Sequence, residues 1–316
     1  MTSDAKNRLQ TWLPIIVLVL LVLLVGIYDH TFFSISNFLE VTSDTMTLFL
    51  MASGVTLVIM MGGIDLSVQA VASMTSCILA VYLPRYGVFA IPFAVLGGMV
   101  AGFLGGFVST RLRIPSFIAT LAVSGVVLSA GYWFSDTKSV IIPGELSATY
   151  LSWAVGDFLG VPNEIWVGVV FLIILSLILG LTPFGRLVRG VGAQERAVMA
   201  SGIDVDRVKI AGYTLSGTMA GVAGIVMAAR LGSGSPTLAN EFLLPAIACI
   251  VVGGTAITGG VGSVWRTFVG ALIVQVVRIG MTFIGVSVFA QQIVFGVILV
   301  VAVGVTMDRA KVFVIK

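Results

Sequence analysis

Apolar runs of roughly 17–22 residues follow one another along the chain, and short polar breaks separate them. Runs of this length can cross a bilayer as helices, whereas membrane strands are about ten residues long and alternate apolar and polar positions. The pattern predicts an all-α integral membrane protein with about ten transmembrane helices, broken near its Gly-rich segments. The predicted spans are residues 12–28, 45–62, 66–83, 88–109, 115–133, 165–182, 210–229, 243–258, 265–283 and 287–306.

Composition supports lipid as the solvent of this chain. Of its 316 residues, 58% are hydrophobic and 10% are charged, and the mean hydropathy is +1.13. A soluble globular protein carries about 25% charged residues. The first apolar run is long enough to span and precedes Asp29-His30 rather than a small-residue cleavage site, so it predicts a retained helix. We expect residues 1–316 to form a single transmembrane domain.

Basic residues are distributed unequally between the two sides of the predicted topology. Cytoplasmic loops are enriched in Lys and Arg, and this bias sets the orientation. With the N-terminus inside, 13 of the 17 basic residues fall on the cytoplasmic side and Arg85, Lys138, Arg230 and Arg278 do not. The pattern therefore predicts that both termini are cytoplasmic. The cytoplasmic segments are residues 1–11, 110–114, 183–209, 259–264 and 307–316.

Two longer polar segments lie on opposite sides in this topology. Residues 134–164 are external and carry more carboxylates than basic groups, whereas residues 183–209 are internal and basic.

Several kinds of chemistry are excluded or disfavoured by the residue inventory. His30 is the only histidine, so a His-based metal site or a catalytic triad cannot be built from this chain. Cys77 and Cys249 lie alone in apolar runs and are expected to be ordinary core thiols. The net charge of +3 comes without a basic run, so nucleic acid is not an expected partner.

A first Gly-rich break occupies residues 62–69, between two apolar runs. Two glycines end the incoming helix, and Asp65 and Ser67 are good N-caps for the next one. Two interpretations follow. Asp65 caps a helix at the cytoplasmic interface, or the break lines a polar pathway in which Asp65, Ser67 and Gln69 supply hydrogen bonds.

A second Gly-rich break occupies residues 253–263. It lacks the Lys-Ser/Thr pair that follows the glycines of a phosphate-binding loop, and no other stretch has a nucleotide motif. If transport by this chain uses ATP, hydrolysis is therefore expected on another chain.

Residues 192–203 predict a short helix in the internal loop. Ala193, Ala197 and Ala200 form a stripe of small residues at helical spacing, and Gly202 is placed to end the helix. An isolated helix of two turns is marginally stable, so a docked protein or the membrane surface is expected to hold it. A surface helix without a partner is the alternative.

Small residues also recur every four positions in two predicted spans. They are Gly98, Gly102 and Gly106 in one span and Ala220, Gly224 and Ala228 in the other. Such residues let membrane helices approach closely, either within one subunit or between two subunits.

The chain resembles the permease subunits of bacterial ribose-type ABC sugar importers, the branch that includes ribose, xylose, galactose and autoinducer-2 permeases. The matching segments run in the expected order over nearly the whole chain. They are GGIDLSV at 62–68, IPSFIATL at 114–121, GAQERAVMASGI at 192–203, VGGTAITGGVGS at 252–263 and QQI at 291–293.

The resemblance implies a permease of the bacterial inner membrane that forms the pathway for a monosaccharide or similar polyol. Its implied partners are a cytoplasmic ATPase, a periplasmic sugar-binding protein and a second permease subunit, identical or homologous. ATP and Mg²⁺ would bind the ATPase, with no cofactor on this chain. The candidate pathway residues are Asp65, Ser67, Gln69, Phe117, Thr120, Asn240 and Thr255. Residues 192–203 would be the helix that docks on the ATPase, with Gly192, Glu195, Ala197, Ala200 and Gly202 as its candidate positions.

Some positions depart from the family pattern and leave the sugar open. Gln69 stands where glycine is usual in the family. Trp265-Arg266 stand where small residues and glycine are common before Thr267, and residues 242–247 replace the usual acidic-alanine run. An ion-driven secondary transporter of a small neutral solute is the alternative function, and an intramembrane enzyme is a further one. The carrier is disfavoured because Asp65 is nearly the only ionisable group predicted at membrane depth. The enzyme is disfavoured by the single histidine and by the lack of a carboxylate pair or a nucleophile–base constellation.

Overall fold

The computed structural model describes residues 3–306, and the side chains of residues 13–301, 303 and 304. The predicted cytoplasmic end at 307–316 and the side chains of Lys6 and Arg8 lie outside the described residues. Helices dominate the described part. They are α1 Ser3–Tyr28, α2 Ile35–Met60, α3 Val68–Tyr86, α4 Ala90–Arg111, α5 Ser116–Phe134, α6 Gly144–Tyr150, α7 Asn163–Leu181, α8 Pro183–Ala200, α9 Val205–Leu231, α10 Leu243–Val252, α11 Val264–Phe283 and α12 Val288–Thr306.

The prediction of an all-α membrane protein is confirmed. Six helical segments of the described chain are long and apolar enough to cross a membrane, and one of them, Val68–Arg111, comprises α3 and α4. Three shorter apolar helices are Leu13–Tyr28, Asn240–Val252 and Val288–Val301. Large apolar side chains cover much of the outer surface, as expected of helices that face lipid.

Helix α2 is the centre of the bundle. In its most apolar stretch, 94% of the residues are buried, because α7, α9, α10 and α11 pack around it. Helix α9 is the second central element and contacts α2, α3 and α4. The functional segments described below are attached to these two helices.

The stripe of α4 packs against α9 near Gly217, whereas the stripe of α9 packs through Gly224 against Ala72 of α3, so both contacts lie within the chain. A Cβ atom at Gly102 would overlap the carbonyl oxygen of Tyr213, and one at Gly217 would overlap the carbonyl oxygen of Gly98. The two backbones can approach this closely only because these positions have no side chain. Packing within one subunit, one of the two alternatives for these stripes, therefore explains them.

Four predicted helix bounds are wrong by more than a turn. Helix α1 begins at Ser3 rather than residue 12, and α9 begins at Val205 rather than residue 210. Helix α2 begins at Ile35 rather than residue 45, because Ser34 caps it and its polar first turns continue the helix. Helix α10 ends at Val252 rather than residue 258, because the glycines that follow form a turn.

Two short antiparallel ribbons organise the polar segments at the end of the bundle where α2 begins. Strand β1 (Val140–Ile141) pairs with β4 (Ser233–Gly234), and β2 (Asp157–Phe158) pairs with β3 (Val161–Pro162). The first ribbon ties the segment after α5 to the turn after α9.

Candidate functional site

The first Gly-rich break separates α2 from α3. The amides of Gly62 and Gly63 donate hydrogen bonds to the carbonyls of Ile59 and Val58, at 2.9 and 3.0 Å, and end α2. Residues 64–67 then run without helical structure until α3 begins at Val68. The break is short, so α3 starts at the end of the bundle where α2 ends.

Asp65 is buried in this break, with 1% of its surface exposed. Its Oδ1 accepts hydrogen bonds from the amide and the hydroxyl of Ser67, at 2.9 and 2.6 Å. Its Oδ2 accepts one from the hydroxyl of Ser216 in α9, at 2.8 Å. Asp65 therefore does not cap α3: Ser67 is the N-cap residue and its side chain makes no capping bond, while the carboxylate of Asp65 holds the turn before it and ties the break to α9.

Two hydroxyl groups of α5 bind the backbone of the break. The amide of Ile64 donates to the Oγ of Ser116 at 3.0 Å, and the amide of Leu66 donates to the Oγ1 of Thr120 at 3.1 Å. These bonds satisfy backbone groups that the broken helix leaves free. Thr120 was a predicted site residue, whereas Ser116, which the same IPSFIATL segment contains, was not.

The predicted pathway residues do not all come together. Asp65, Ser67 and Thr120 lie around the first break, and Gln69 follows it on α3, half-buried. Phe117 is 48% exposed on the surface of α5, and Asn240 is exposed before α10. Thr255 belongs to the second break.

The second break, residues 253–263, folds back on the end of α2. The amide of Gly260 donates to the carbonyl of Met60 at 2.8 Å, and the amide of Ala256 donates to the carbonyl of Val261 at 2.9 Å. Thr255 is buried, and its hydroxyl has no hydrogen-bond partner among the described residues. The two breaks are therefore in direct contact.

Gly192 in α8 packs into the same contact. A Cβ atom there would overlap the carbonyl oxygen of Met60 and the amide nitrogen of Gly260. Only a glycine permits the backbone of α8 to approach the ends of both breaks. Three segments that the sequence analysis singled out separately thus meet at one point.

Helix α8 corrects the prediction of an isolated two-turn helix at 192–203. The helix begins at Pro183, and a non-helical residue, Gln194 (φ −160°, ψ 86°), kinks it. Ala193 lies before the kink and Ala197 and Ala200 lie after it, so the three alanines do not form one continuous stripe. The kink lies two residues after Gly192, whose backbone packs closely against Met60 and Gly260.

The segment after the kink projects outward. Ala197 and Ala200 are exposed, and Gly202, at φ +82°, follows the end of the helix. Both carboxylate oxygens of Glu195 accept hydrogen bonds from the Nζ of Lys209, each at 2.7 Å. The exposed turn is thereby attached to the first turns of α9.

A cavity of about 820 Å³ opens between this segment and the first break. It is lined by both arms of the kink, by Gly62 and Gly63, and by Arg113 and Tyr213. The Tyr213 side chain is buried and its hydroxyl has no hydrogen-bond partner among the described residues. The cavity gives the first break a polar opening at the end of the bundle where α2 ends.

A polar cluster at the opposite end of the bundle was missed by the sequence analysis. Asp44 of α2 forms an ion pair with Arg230 of α9 and accepts a hydrogen bond at 2.9 Å from Nε2 of Gln275 in α11. Because α2 begins at Ile35, Asp44 lies inside a helix. The expectation that Asp65 is nearly the only ionisable group within the helices is therefore wrong. The signal was present as polar residues at helical spacing: Asn37, Glu40, Asp44 and Thr47 in α2, and Gln275, Arg278 and Thr282 in α11.

Comparisons with known proteins identify the family. A family model described as the permease component of branched-chain amino acid transport systems matches residues 37–303. The ribose import permease protein RbsC of Escherichia coli K12 is 34% identical over 309 residues, which cover 95% of this chain and 96% of RbsC. The RbsC protein of Bacillus subtilis 168 is 35% identical over 301 residues, or 94% of this chain and 92% of that protein.

The chain belongs to this permease family. A further relative, the L-arabinose transport system permease protein AraH of Escherichia coli K12, is 36% identical over 208 residues, or 66% of this chain and 62% of AraH. The predicted resemblance to ribose-type ABC sugar importers is confirmed, and the chain is the permease subunit of an ABC importer.

A solved structure supports the permease fold. An inward-facing putative metal-chelate type ABC transporter matches with a TM-score of 0.52 and 15% identity, over 94% of this chain and 97% of the other. At this identity the likeness concerns the fold alone.

Membership in the family also bears on the partners of this chain and on the alternative function, an ion-driven secondary transporter. An ABC permease works with an ATPase and a substrate-binding protein, and the permease normally does not hydrolyse ATP. These relatives lend no support to the ion-driven secondary transporter.

Proposed function

We propose that this permease forms the pathway by which a monosaccharide or a similar polyol crosses the inner membrane of a bacterium. A periplasmic binding protein delivers the solute, and ATP with Mg²⁺ is hydrolysed on a separate ATPase, so this chain has no catalytic site and no cofactor. The observation that carries the proposal is identity of 34% with a ribose import permease over 95% of the chain.

In this proposal residues 1–316 form one domain with ten spans and both termini in the cytoplasm. The 44-residue segment Val68–Arg111 folds back at residues 87–89, so it supplies two spans, and the other apolar segments supply eight. The orientation follows from the distribution of basic residues, two of which form ion pairs near the ends of α4 and α9. Arg111 pairs with Asp206 at 3.5 Å, and Arg207 pairs with Asp204 at 2.9 Å, at the end that the basic residues assign to the cytoplasm.

The pathway is completed by a second permease subunit, identical or homologous. Phe117 and Asn240 are exposed in the single chain, and this supports a pathway that a partner surface closes. Asp65, Ser67, Gln69, Thr120 and Thr255 supply the polar interior near the breaks. A neutral sugar needs only dispersed hydrogen bonds there, since strong binding in the pathway would slow release.

The segment after the Gln194 kink transmits the motion of the ATPase. Ala197 and Ala200 present a small exposed surface on which a partner can dock. A displacement there reaches both breaks directly, because Gly192 touches Met60 and Gly260. It also reaches Asp65 through α9, to which Glu195 is attached by Lys209.

Transport by the reconstituted importer tests the proposal. The permease, its ATPase and its binding protein are placed in proteoliposomes and offered labelled D-ribose, L-arabinose, D-xylose and D-galactose. We expect saturable uptake of at least one sugar that requires ATP and proceeds without an ion gradient. Uptake of none of them, or uptake driven by a proton or sodium gradient without ATP, would contradict the proposal.

A further inference from the structure

The polar cluster around Asp44 lines a cavity of about 460 Å³ between the ends of α2, α9 and α11. This volume lies in the range of about 300–1,000 Å³ that small-molecule sites occupy. The cavity is at the end of the bundle that carries the β1–β4 ribbon, and the proposed topology places that end outside. It is separate from the candidate pathway residues named from the sequence.

The cavity walls are polar along two helix faces. Successive turns of α2 present Asn37, Glu40, Asp44 and Thr47, and successive turns of α11 present Gln275, Arg278 and Thr282. Polar residues in a membrane helix mark a water-filled cavity or a solute pathway, because lipid-facing positions exclude them. Both helices therefore turn their polar faces to a common space.

Thr47, at the deep end of this cavity, has a hydroxyl group that makes no hydrogen bond to the described residues. Its side chain lines the cavity and only 6% of the residue surface is exposed. Its Oγ1 has no hydrogen-bond partner among the described residues. A buried hydroxyl without a partner is costly. The oxygen is closed off from the cavity in the observed rotamer, and rotation about χ1 would bring it to a hydroxyl group of a bound solute.

The charges of the cavity balance. Two carboxylates, Glu40 and Asp44, face two guanidinium groups, Arg230 and Arg278. The guanidinium of Arg278 lies 5.1 Å from the ring centroid of Phe242, and Asp44 is held by Arg230 and Gln275. A site with no net charge favours a neutral ligand, and carboxylate, guanidinium and amide groups together bind a ligand that both donates and accepts hydrogen bonds.

We propose that this cavity is an external binding site for a neutral polyhydroxylated solute, in which Thr47, Asp44 and Gln275 bind hydroxyl groups. The inference rests on the proposed sugar transport and on the proposed orientation. The solute would occupy the site after release from the binding protein and before it reaches the first break.

Thiol labelling from outside the cell tests the site. Cys77 and Cys249 are replaced by Ala, and Thr282→Cys places a reporter in the cavity wall. Right-side-out membrane vesicles are treated with a charged, impermeant methanethiosulfonate in the presence of D-ribose, L-arabinose or ribitol. We expect at least one of these polyols at tens of millimolar to slow labelling about threefold or more, since a weak site is then mostly occupied. Glycine betaine at the same osmolarity should not protect.

Matched variants separate binding from other effects. Ser139→Cys, at an exposed position outside the cavity, should be labelled at the same rate with or without polyol. Thr47→Val removes the free hydroxyl and should abolish protection of the Thr282→Cys reporter. Thr42→Val, on the same helix, removes a hydroxyl that binds the carbonyl of Phe38 and should leave protection intact.

Two results would overturn the inference: absence of protection by every polyol, or equal protection in the Thr47→Val and Thr42→Val backgrounds. Normal labelling of the Ser139→Cys reporter shows that each variant is folded and inserted. The uptake assay separates this failure from that of the proposed function. Uptake without protection refutes the site alone, whereas protection without uptake refutes sugar transport and retains the site.

Discussion

At the scale of single residues, Asp65 shows how this protein keeps a carboxylate among apolar helices. Three donors from Ser67 and Ser216 surround it, so its two oxygens are satisfied by groups from the break and from α9. Loss of the carboxylate would leave the buried amide of Ser67 without an acceptor, since a serine hydroxyl can reverse its direction but an amide N–H cannot.

Asp65→Leu should therefore destabilise the permease. Leucine accepts no hydrogen bond from the amide of Ser67, and we expect a loss of about 1–3 kcal/mol in the free energy of unfolding. Thermal unfolding in detergent measures the effect. Asp157→Leu, at an exposed position, is the control and should change stability little. Equal midpoints for the two variants would contradict the role of Asp65.

Gly192→Ala should uncouple transport from ATP hydrolysis. The added methyl group overlaps the backbone of Met60 and Gly260, so α8 must move away from the two breaks. We expect normal insertion, little or no uptake, and ATP hydrolysis that no longer responds to the sugar-loaded binding protein.

Gly180→Ala is the control for this substitution. Its added methyl group meets no atom within 4 Å, at the end of α7 that precedes α8. Wild-type coupling in Gly192→Ala would show that the contact between α8 and the breaks is not needed for transmission.

At the scale of elements, the kink in α8 divides one helix into two parts with different contacts. The first part packs against the breaks. The second part is largely exposed, with Val198 half-buried against the core and Glu195 bonded to Lys209. The stripe of small residues in the sequence indicated a helix here but not its division. The kink lets one element contact the permease interior and still present a free surface.

Ala197→Trp should block docking of the ATPase without affecting the fold. The indole enlarges an exposed surface of small residues, while the spanning helices are not in contact with it. We expect the permease to insert at normal levels and to lose co-purification with its ATPase. Leu181→Trp, at an exposed position at the end of α7, should retain the ATPase. Retention in both variants would mean that this segment is not the docking surface.

At the scale of the whole molecule, the two ends of the bundle differ in their polar groups. One end carries the kinked α8 and the ion pairs of Arg111 and Lys209, and the other carries the two ribbons and the Asp44 cavity. The inferred direction of transport depends on which end faces the cytoplasm.

Reporter fusions test this orientation. A reporter fused after Lys316 and one inserted at Ser139 should label opposite sides of the membrane, with the Lys316 fusion in the cytoplasm. The expectation follows from the 13-to-4 distribution of basic residues. Labels on the same side would refute the topology.

The ribboned end is expected to meet the binding protein. Strand pairing brings residues 134–164 next to residues 232–241, so the two external segments form one surface. Charge reversal at Asp136, Glu145 and Asp157 should slow association of the sugar-loaded binding protein at low salt and have little effect at high salt. Association rates from surface plasmon resonance measure this. Unchanged rates at low salt would place the docking surface elsewhere.

Apolar run length, the positions of the glycines and the order of the segments that resemble the family were enough to predict the helical membrane fold and the permease family. Lipid imposes these features on the sequence directly, because each span must be apolar and must satisfy its own backbone. The ends of α2 and α10 were less accessible, since polar residues at a helix start and glycines at its end can belong to either the helix or the loop.

Contacts between distant segments were decided only by the tertiary structure. The meeting of Gly192 with both breaks, the bond from Asp65 to Ser216, and the ion pair of Asp44 with Arg230 each join residues far apart in the chain. Spacing within a helix indicates which residues share a face, but not which other helix that face meets. That choice depends on how all the helices pack together, and here it places two polar cavities at opposite ends of α2 and α9.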